Sequence, residues 1–444
     1  MSPSRQWLAG LGLVVVLGGV AAFSLIPSEI ELAEKASARL EAALGVPVHV
    51  GALHWRVLPR PMVVFEDVSS VQSEPVLIKK LSLYPALATL WRLDLQLELA
   101  ELEGAVIPQK SLSALGKASA KATAADDSGP QDEIFGGFAL ADVPLVRLVF
   151  KDLSWVSRTG ISVVYEGEVD FDPGWRPGLA QLRRPGFKPL TDLTLTRKSP
   201  QETGNDKGKD SWAALVNLGG GTAHGQLQLS TQADGRLQLS GKLKPRDIEV
   251  SSALQAFNRR PVLAGKLAGD TTLSARGDSV GELARSLHTT TVFNIGKSTL
   301  LRFDLGKAVR SLGKDHEGQT GLDSITGQLD TQNTADGMVM NFTRIQARSG
   351  LLSASGQARL HNRNIDAELA VDLVDGIVGV PLKLSGPVSK VRVSVPAGAV
   401  VGAAAGTAVL PGVGTAIGAR LGAALGKLFG KSPGSAGASP QPER

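Results

Sequence analysis

The sequence predicts a mainly β protein built on an elongated antiparallel sheet, with an apolar helical segment at each end. Three observations lead there. Beyond Gly45 the hydrophobic period is two rather than about 3.6. Helical stretches after that point are few and short, chiefly Pro85 to Trp91, Ser251 to Phe257 and Val280 to Leu287. The 444 residues include 51 Gly and 24 Pro but only 5% aromatics, the composition of an aliphatic, turn-rich interior rather than of a disordered chain. The length suits about three domains or a single elongated β protein.

At the amino end, Trp7 to Ile26 is a charge-free run of twenty residues. It includes Trp7, Leu13, Val16, Phe23 and Ile26, and is long enough to cross a hydrocarbon core of about 30 Å. Arg5 precedes it and Glu29, Glu31 and Glu34 follow, so the positive-inside bias keeps the start in the cytoplasm and exports the rest. A cleaved signal peptide is the competing reading, because Val20-Ala21-Ala22 resembles a small-residue cleavage site. The run exceeds the usual length of roughly 7 to 15 residues, which favours a retained single-pass anchor. Ser28 and Glu31 then have capping-box spacing and Gly45 supplies a stop, which predicts a helix with Ile30, Ala33, Ala36, Leu40 and Leu44 along one stripe.

The strands follow. RLDLQLEL places Leu93, Leu95, Leu97 and Leu99 on one face and Asp94, Gln96 and Glu98 on the other. GQLQLSTQADGRLQLSG reads as a hairpin that turns at Asp234-Gly235 and brings Leu227 and Leu229 to the face of Leu237 and Leu239. A second turn, Thr331 to Gly337, joins SITGQLD to MVMNFTR. Ile365, Ala367, Leu369 and Val371 alternate with Asp366, Glu368 and Asp372. Ser111 to Glu133 and Ser199 to Asp210 lack the pattern and read as flexible connections.

Composition removes several function classes. With no cysteine there is no disulfide, thiolate nucleophile, cysteine-ligated metal or lipidated cysteine. A net charge of +5 is too even for a nucleic-acid surface. Gly296 to Thr299 (GKST) matches the tail of a phosphate-binding loop, but Thr291 stands where its first glycine belongs. The six histidines are scattered, and His49 and His54 differ by an odd number, so no metal site is indicated. Carboxylates alternate with Leu in the manner of a wetted strand face. Arg60, between two prolines, reads as a turn or interface residue. The expectation is a protein that is not an enzyme and has no cofactor.

The pattern leaves a physical problem: the apolar face of so many strands needs a second sheet, closure into a barrel, or a ligand. A membrane barrel expects aromatic girdles, for which two Tyr and six Trp are too few. A sandwich stays open, as does a long curved sheet whose concave face holds lipid. Shielding an acyl chain is worth about 0.8 kcal/mol per CH₂.

The run LGVPVHVGALHWRVLPRPMVVFEDVSSVQ, Leu44 to Gln72, stands after an anchor and a short helix and before LSLYPALATLWRLDLQLELAELEGAVI. It resembles the amino-terminal region of AsmA-like proteins through Gly45, Pro47, Gly51, Trp55, the Leu58-Pro59-Arg60-Pro61 turn, Glu66-Asp67-Val68 and Glu101-Leu102-Glu103-Gly104. The carboxyl half is similar to that family through HTTTVFNIGKSTLLRFDLGKAV, RIQARSGLLSASGQARLHNRNIDAELAVDL and GVPLKLSGPVSKVRVSV. The resemblance implies an elongated, strongly curved, taco-like antiparallel β-groove anchored in the inner membrane of a Gram-negative envelope. Its bulk would lie in the periplasm, supporting phospholipid transport to the outer membrane and outer-membrane biogenesis. The partners implied are phospholipids and the inner membrane, and no nucleic acid. Candidate acyl contacts are Leu93, Leu95, Leu97, Leu99, Leu227, Leu229, Leu237, Leu239, Ile365 and Leu369, with ordinary core packing as the alternative at each. A tethered scaffold for outer-membrane proteins, without lipid conduction, is the competing function.

At the carboxyl end, Gly398, Gly402, Gly406, Gly414, Gly418, Gly422 and Gly426 fall on one four-residue grid, a spacing that lets helices approach closely in lipid. Pro411-Gly412 divides the run into pieces shorter than the roughly twenty residues needed to span, which predicts a Gly/Ala-rich helical hairpin. It would meet the outer membrane or an envelope protein. The expected division is 1–27 transmembrane signal-anchor, 28–45 amphipathic helix, 46–110 amino-terminal β region and 111–133 low-complexity linker. Then come 134–395 β-groove, 396–430 Gly-zipper membrane-associating segment and 431–444 disordered tail.

Overall fold

The computed structural model describes residues 29–44, 46–56, 59–86, 96–111, 145–172, 176–199, 209–278, 280–334, 336–373 and 380–396. The anchor residues Trp7, Leu13, Val16, Phe23 and Ile26, the candidates Leu93 and Leu95, and the glycines from Gly398 to Gly426 lie outside them. Among the described residues no helix is long and apolar enough to cross a membrane. The chain is mainly β and divides into two compact units, Met1–Gly186 with Asp192–Thr196, and Phe187–Thr191 with Arg197–Arg444. The boundary falls inside the 134–395 segment.

Unit 1 opens with helix α1 (Glu29–Leu44), where the sequence places it. Ala33 is buried, and Leu32, Ala36 and Leu40 pack with it against Val50, Leu53, Trp55, Val63, Phe65 and Val68. Ile30 departs from the expected stripe. It is 74% exposed, because it sits in the first turn and Leu32 takes the contact with the sheet. The strands are β1 (Val48–Arg56), β2 (Met62–Ser70), β3 (Leu77–Pro85), β4 (Leu97–Pro108), β5 (Leu145–Val156), β6 (Ser162–Asp172), β7 (Arg176–Arg183) and β8 (Asp192–Arg197), paired in chain order.

One pairing breaks the antiparallel expectation: β4 and β5 run parallel, with Leu102 opposite Phe150. A parallel neighbour requires the chain to return along the strand before pairing, which a tight turn cannot do. The low-complexity stretch lies in that return.

Unit 2 contains β9 (Lys209–Leu218), β10 (Gly221–Thr231), β11 (Leu237–Arg246), β12 (Ile248–Glu249), helix α2 (Val250–Ala256), β13 (Leu263–Gly277), helix α3 (Val280–Ser286) and β14 (His288–Leu300). There follow helix α4 (Leu305–Arg310), β15 (Thr320–Leu322), β16 (Ser324–Thr334), β17 (Gly337–Arg348), β18 (Leu352–His361), β19 (Asn364–Leu373), β20 (Val380–Pro387) and β21 (Arg392–Ser394). The β10–β11 hairpin has the expected register, Leu229 opposite Leu239, and turns with Gly235 at φ 82°. That left-handed conformation is cheap only for glycine. The Thr331 to Gly337 turn also forms, with Thr334 opposite Gly337.

The sequence assigns no helix to Leu305–Arg310, yet α4 carries much of the core of unit 2. It is too short for a helical period to show, and it exists because tertiary contacts hold it. Asp304 caps it by accepting from Lys307 N at 2.8 Å. The buried hydroxyl of Thr320 accepts from Leu305 N and donates to Phe303 O, both at 2.9 Å. Leu305, Ala308 and Val309 are buried with Phe303, Ile295, Leu322, Val371 and Leu382. The helical stretches expected after Gly45 do not include α4, so that expectation is corrected at this end.

Glycines inside strands mark close approaches between neighbours. At Gly225 a Cβ would overlap the backbone carbonyl of Lys242 and fall 2.7 Å from Leu243 Cδ2. Gly225→Ala is expected to lower stability by about 1–3 kcal/mol. The check is the urea midpoint, which should fall at unchanged slope.

Candidate functional site

Directly paired residues share a face, so the registers show where the apolar side chains lie. In unit 1 a row runs Leu53, Phe65, Leu81, Leu102, Phe150, Gly167, Leu182 and Leu193 from β1 to β8. Beside it run Leu83, Ala100, Leu148, Val169, Ala180 and Leu195. Helix α1 covers the β1–β2 end. From β3 to β8 these leucines stay half-buried, and no described helix of the unit packs over them.

In unit 2 one row crosses ten strands from Trp212 through Leu227, Gly241, Leu273, Thr289, Thr331, Met340, Leu360 and Ile365 to Gly386. The next passes from Ala214 through Gly225, Leu243, Thr271, Thr291, Leu329, Phe342, Ala358 and Ala367 to Leu384. At about 4.8 Å per strand, ten strands give a track on the order of 45 Å.

The floor of this track has a recurring construction. Large apolar side chains lie across glycines of the adjacent strand. A Cβ built at Gly241 would fall 2.5 Å from Leu227 Cδ2 and 3.1 Å from Leu273 Cγ. At Gly327 it would meet Phe293 Cζ at 2.8 Å; the same contact recurs in the unit 1 rows, where Gly167 meets Phe150 Cζ at 2.6 Å, and at the closed α4 end, where Gly356 meets Leu369 Cδ2 at 2.9 Å. The side chains thus lie down on the sheet. The floor stays low and smooth, and part of its apolar area is covered without a second layer.

Of the predicted contacts, Leu227, Leu229, Leu237 and Leu239 come together on this face, half-buried and apart from the buried core. Ile365 and Leu369 are different. They pack against the core of the α4 end, because Leu369 pairs with the buried Leu382. They belong to a self-packed region rather than to an open floor.

Leu99 is a correction. A register shift between Tyr84 and Pro85 sets Leu97 opposite Pro85 and Leu99 opposite Tyr84. Leu99 then shares the polar face with Glu101 and Arg147, and Ala100 and Leu102 take the apolar one. One extra residue at such a shift exchanges the faces of everything beyond it.

The period-two search also misses Leu81, Leu102, Phe150, Leu273 and Phe293. A bulge explains Phe150: Asp152 (φ 51°) sits in a left-handed conformation at the register shift in β5, as Arg344 (φ 52°) does at one in β17. Around Leu273, Gly265, Gly269 and Gly277 stand at alternate positions of the same strand, and each removes one apolar residue from the pattern.

The opposite face is charged. Arg147 pairs with Glu168 and, at 3.4 Å, with Asp170, and His288 lies 3.8 Å from Asp330. A cavity of about 500 Å³ over β13, β14, β16 and β17 is lined by Asp270, Asn294, Arg344 and Gln346 on this polar side. The GKST segment lies within β14, at its register shift with β13. Among the described residues no group of histidine and acidic side chains is arranged to hold a metal.

Tyr165, on the face of Gly167, has its phenol pushed up by burial, against the opposing charge of Arg184. Burial also raises Tyr84, as does its 2.9 Å hydrogen bond to Glu101. A raised folded value means stability is fully present below the unfolded tyrosine pKa of about 10 and is lost as pH rises through the folded value. Phenolate absorbance of the folded protein should therefore develop later than that of the unfolded chain, and stability should fall above pH of about 10.

No family model, curated protein or solved structure matches this chain.

Proposed function

We propose that this protein is an AsmA-like lipid-shielding protein, anchored in the inner membrane through residues 7–26. Its sheet forms an elongated, curved groove in the periplasm that supports phospholipid transport toward the outer membrane. The observation that carries the reading is the half-buried apolar face, running from β3 to β8 in unit 1 with no described helix over it, and from β10 into β14 in unit 2, where helix α3 packs at the Gly277 end. A soluble protein rarely leaves so long an aliphatic surface against water unless something apolar completes it. At about 0.8 kcal/mol per CH₂, an acyl chain laid on this floor recovers most of what it loses on leaving a bilayer.

The test is lipid extraction and native mass spectrometry of the full chain purified in minimal detergent, with photo-crosslinkers at Leu239, Leu273 and Leu99. Phospholipid should co-purify and crosslink from Leu239 and Leu273 but not from Leu99 on the polar face. Protein free of phospholipid, with no crosslink from either track position, overturns the reading.

A further inference from the structure

We propose that the four threonines at the centre of the unit 2 track form a hydroxyl station that takes the ester carbonyls of a glycerolipid. The inference rests on the lipid-shielding reading and deepens it from hydrocarbon in general to an acyl ester in particular.

The two ten-strand rows are otherwise aliphatic, aromatic or glycine. Their only hydroxyls are Thr289 and Thr331 in one and Thr271 and Thr291 in the other, and the four form one contiguous block on β13, β14 and β16. Valine matches threonine in shape and strand preference, so what threonine adds here is the hydroxyl, part of whose use is a cross-strand hydrogen bond. The hydroxyls are half-buried, and they pair across the strands. Thr271 Oγ1 lies 2.9 Å from Thr291 Oγ1, and Thr289 bonds Thr331. Two hydroxyls joined by one hydrogen bond use one hydrogen; the second O–H has no further partner among the described residues. Each pair therefore presents one donor to the track.

A track that handled only hydrocarbon would gain nothing from donors. An ester carbonyl accepts such a hydrogen bond well, and an ether oxygen offers no carbonyl. Asn333 on the same face donates one amide N–H to Ala284 O of α3 at 2.9 Å and lies outside the two rows.

The experiment loads the full chain from phosphatidylethanolamine vesicles, half dipalmitoyl diester and half dihexadecyl diether, and reads the bound ratio by native mass spectrometry. Two hydrogen bonds at about 1 kcal/mol each predict an enrichment of the diester on the order of tenfold or more. Thr289→Val with Thr331→Val should lower the preference, and adding Thr271→Val and Thr291→Val should bring the ratio to one. A ratio near one in the unaltered protein, with lipid bound, overturns the station and leaves the groove standing. A preference that survives the fourfold change also overturns it. Failure of either lipid to load overturns the groove and the station together. If the fourfold variant does not fold, the ratio in the unaltered protein still decides.

Discussion

Leu382→Asp is expected to unfold the carboxyl-terminal half of unit 2. Leu382 is 1% exposed in β20, opposite Leu369 on β19 and in the cluster that holds Val371 (0%), Ala308 (0%) and Val309. The substitution deletes a fully packed side chain and buries a carboxylate with no basic partner in the cluster. Losing the Leu contacts alone costs about 2–5 kcal/mol, and desolvating the polar group adds to it. A sum of that size consumes most of the stability of a typical domain, about 5–15 kcal/mol. Thermal circular dichroism should lose its main transition, and limited proteolysis should cut within β16–β20. A cooperative melt within a few degrees of the parent would mean that this end is not a closed core.

Leu273→Asp is expected to do the opposite: the fold survives and the lipid is lost. Leu273 lies half-buried on β13 between Gly241 and Thr289, and Asp can turn its carboxylate toward the open side of the sheet. The cost to folding should stay near 1 kcal/mol, the centre of the range for single substitutions. In a lipid-filled track the same carboxylate meets hydrocarbon, where an unpaired charge costs several kcal/mol. Co-purified phospholipid should therefore fall at least tenfold, read by mass spectrometry alongside an unchanged melt. Unchanged lipid load in a folded variant would sink the groove.

The contrast between these two leucines bears on what can be read from the amino-acid order. Both stand at alternate positions in strands with charged or polar neighbours, and nothing local separates them. Leu382 is closed over because α4 comes to its cluster from elsewhere in the chain. Leu273 stays half-buried, with helix α3 packing farther along the same strand face, at Gly277. The β10–β11 hairpin was legible because its turn residues and its alternation lie within one short stretch. Leu99 was misplaced because the register shift at Pro85 depends on β3, which is distant in sequence from the RLDLQLEL motif.

Period-two alternation, turn glycines and the helix stop before Val46 are short-range features. By themselves they determined a mainly β chain of two-faced strands, the helix at Glu29–Leu44 and the β10–β11 hairpin. Bulges at Asp152 and Arg344, the parallel β4–β5 pair, the packing of α4 and the gathering of four threonines were decided only by tertiary structure. The physical reason is that a strand's own residues fix which side chains share a face, whereas the cover over that face comes from segments far along the chain.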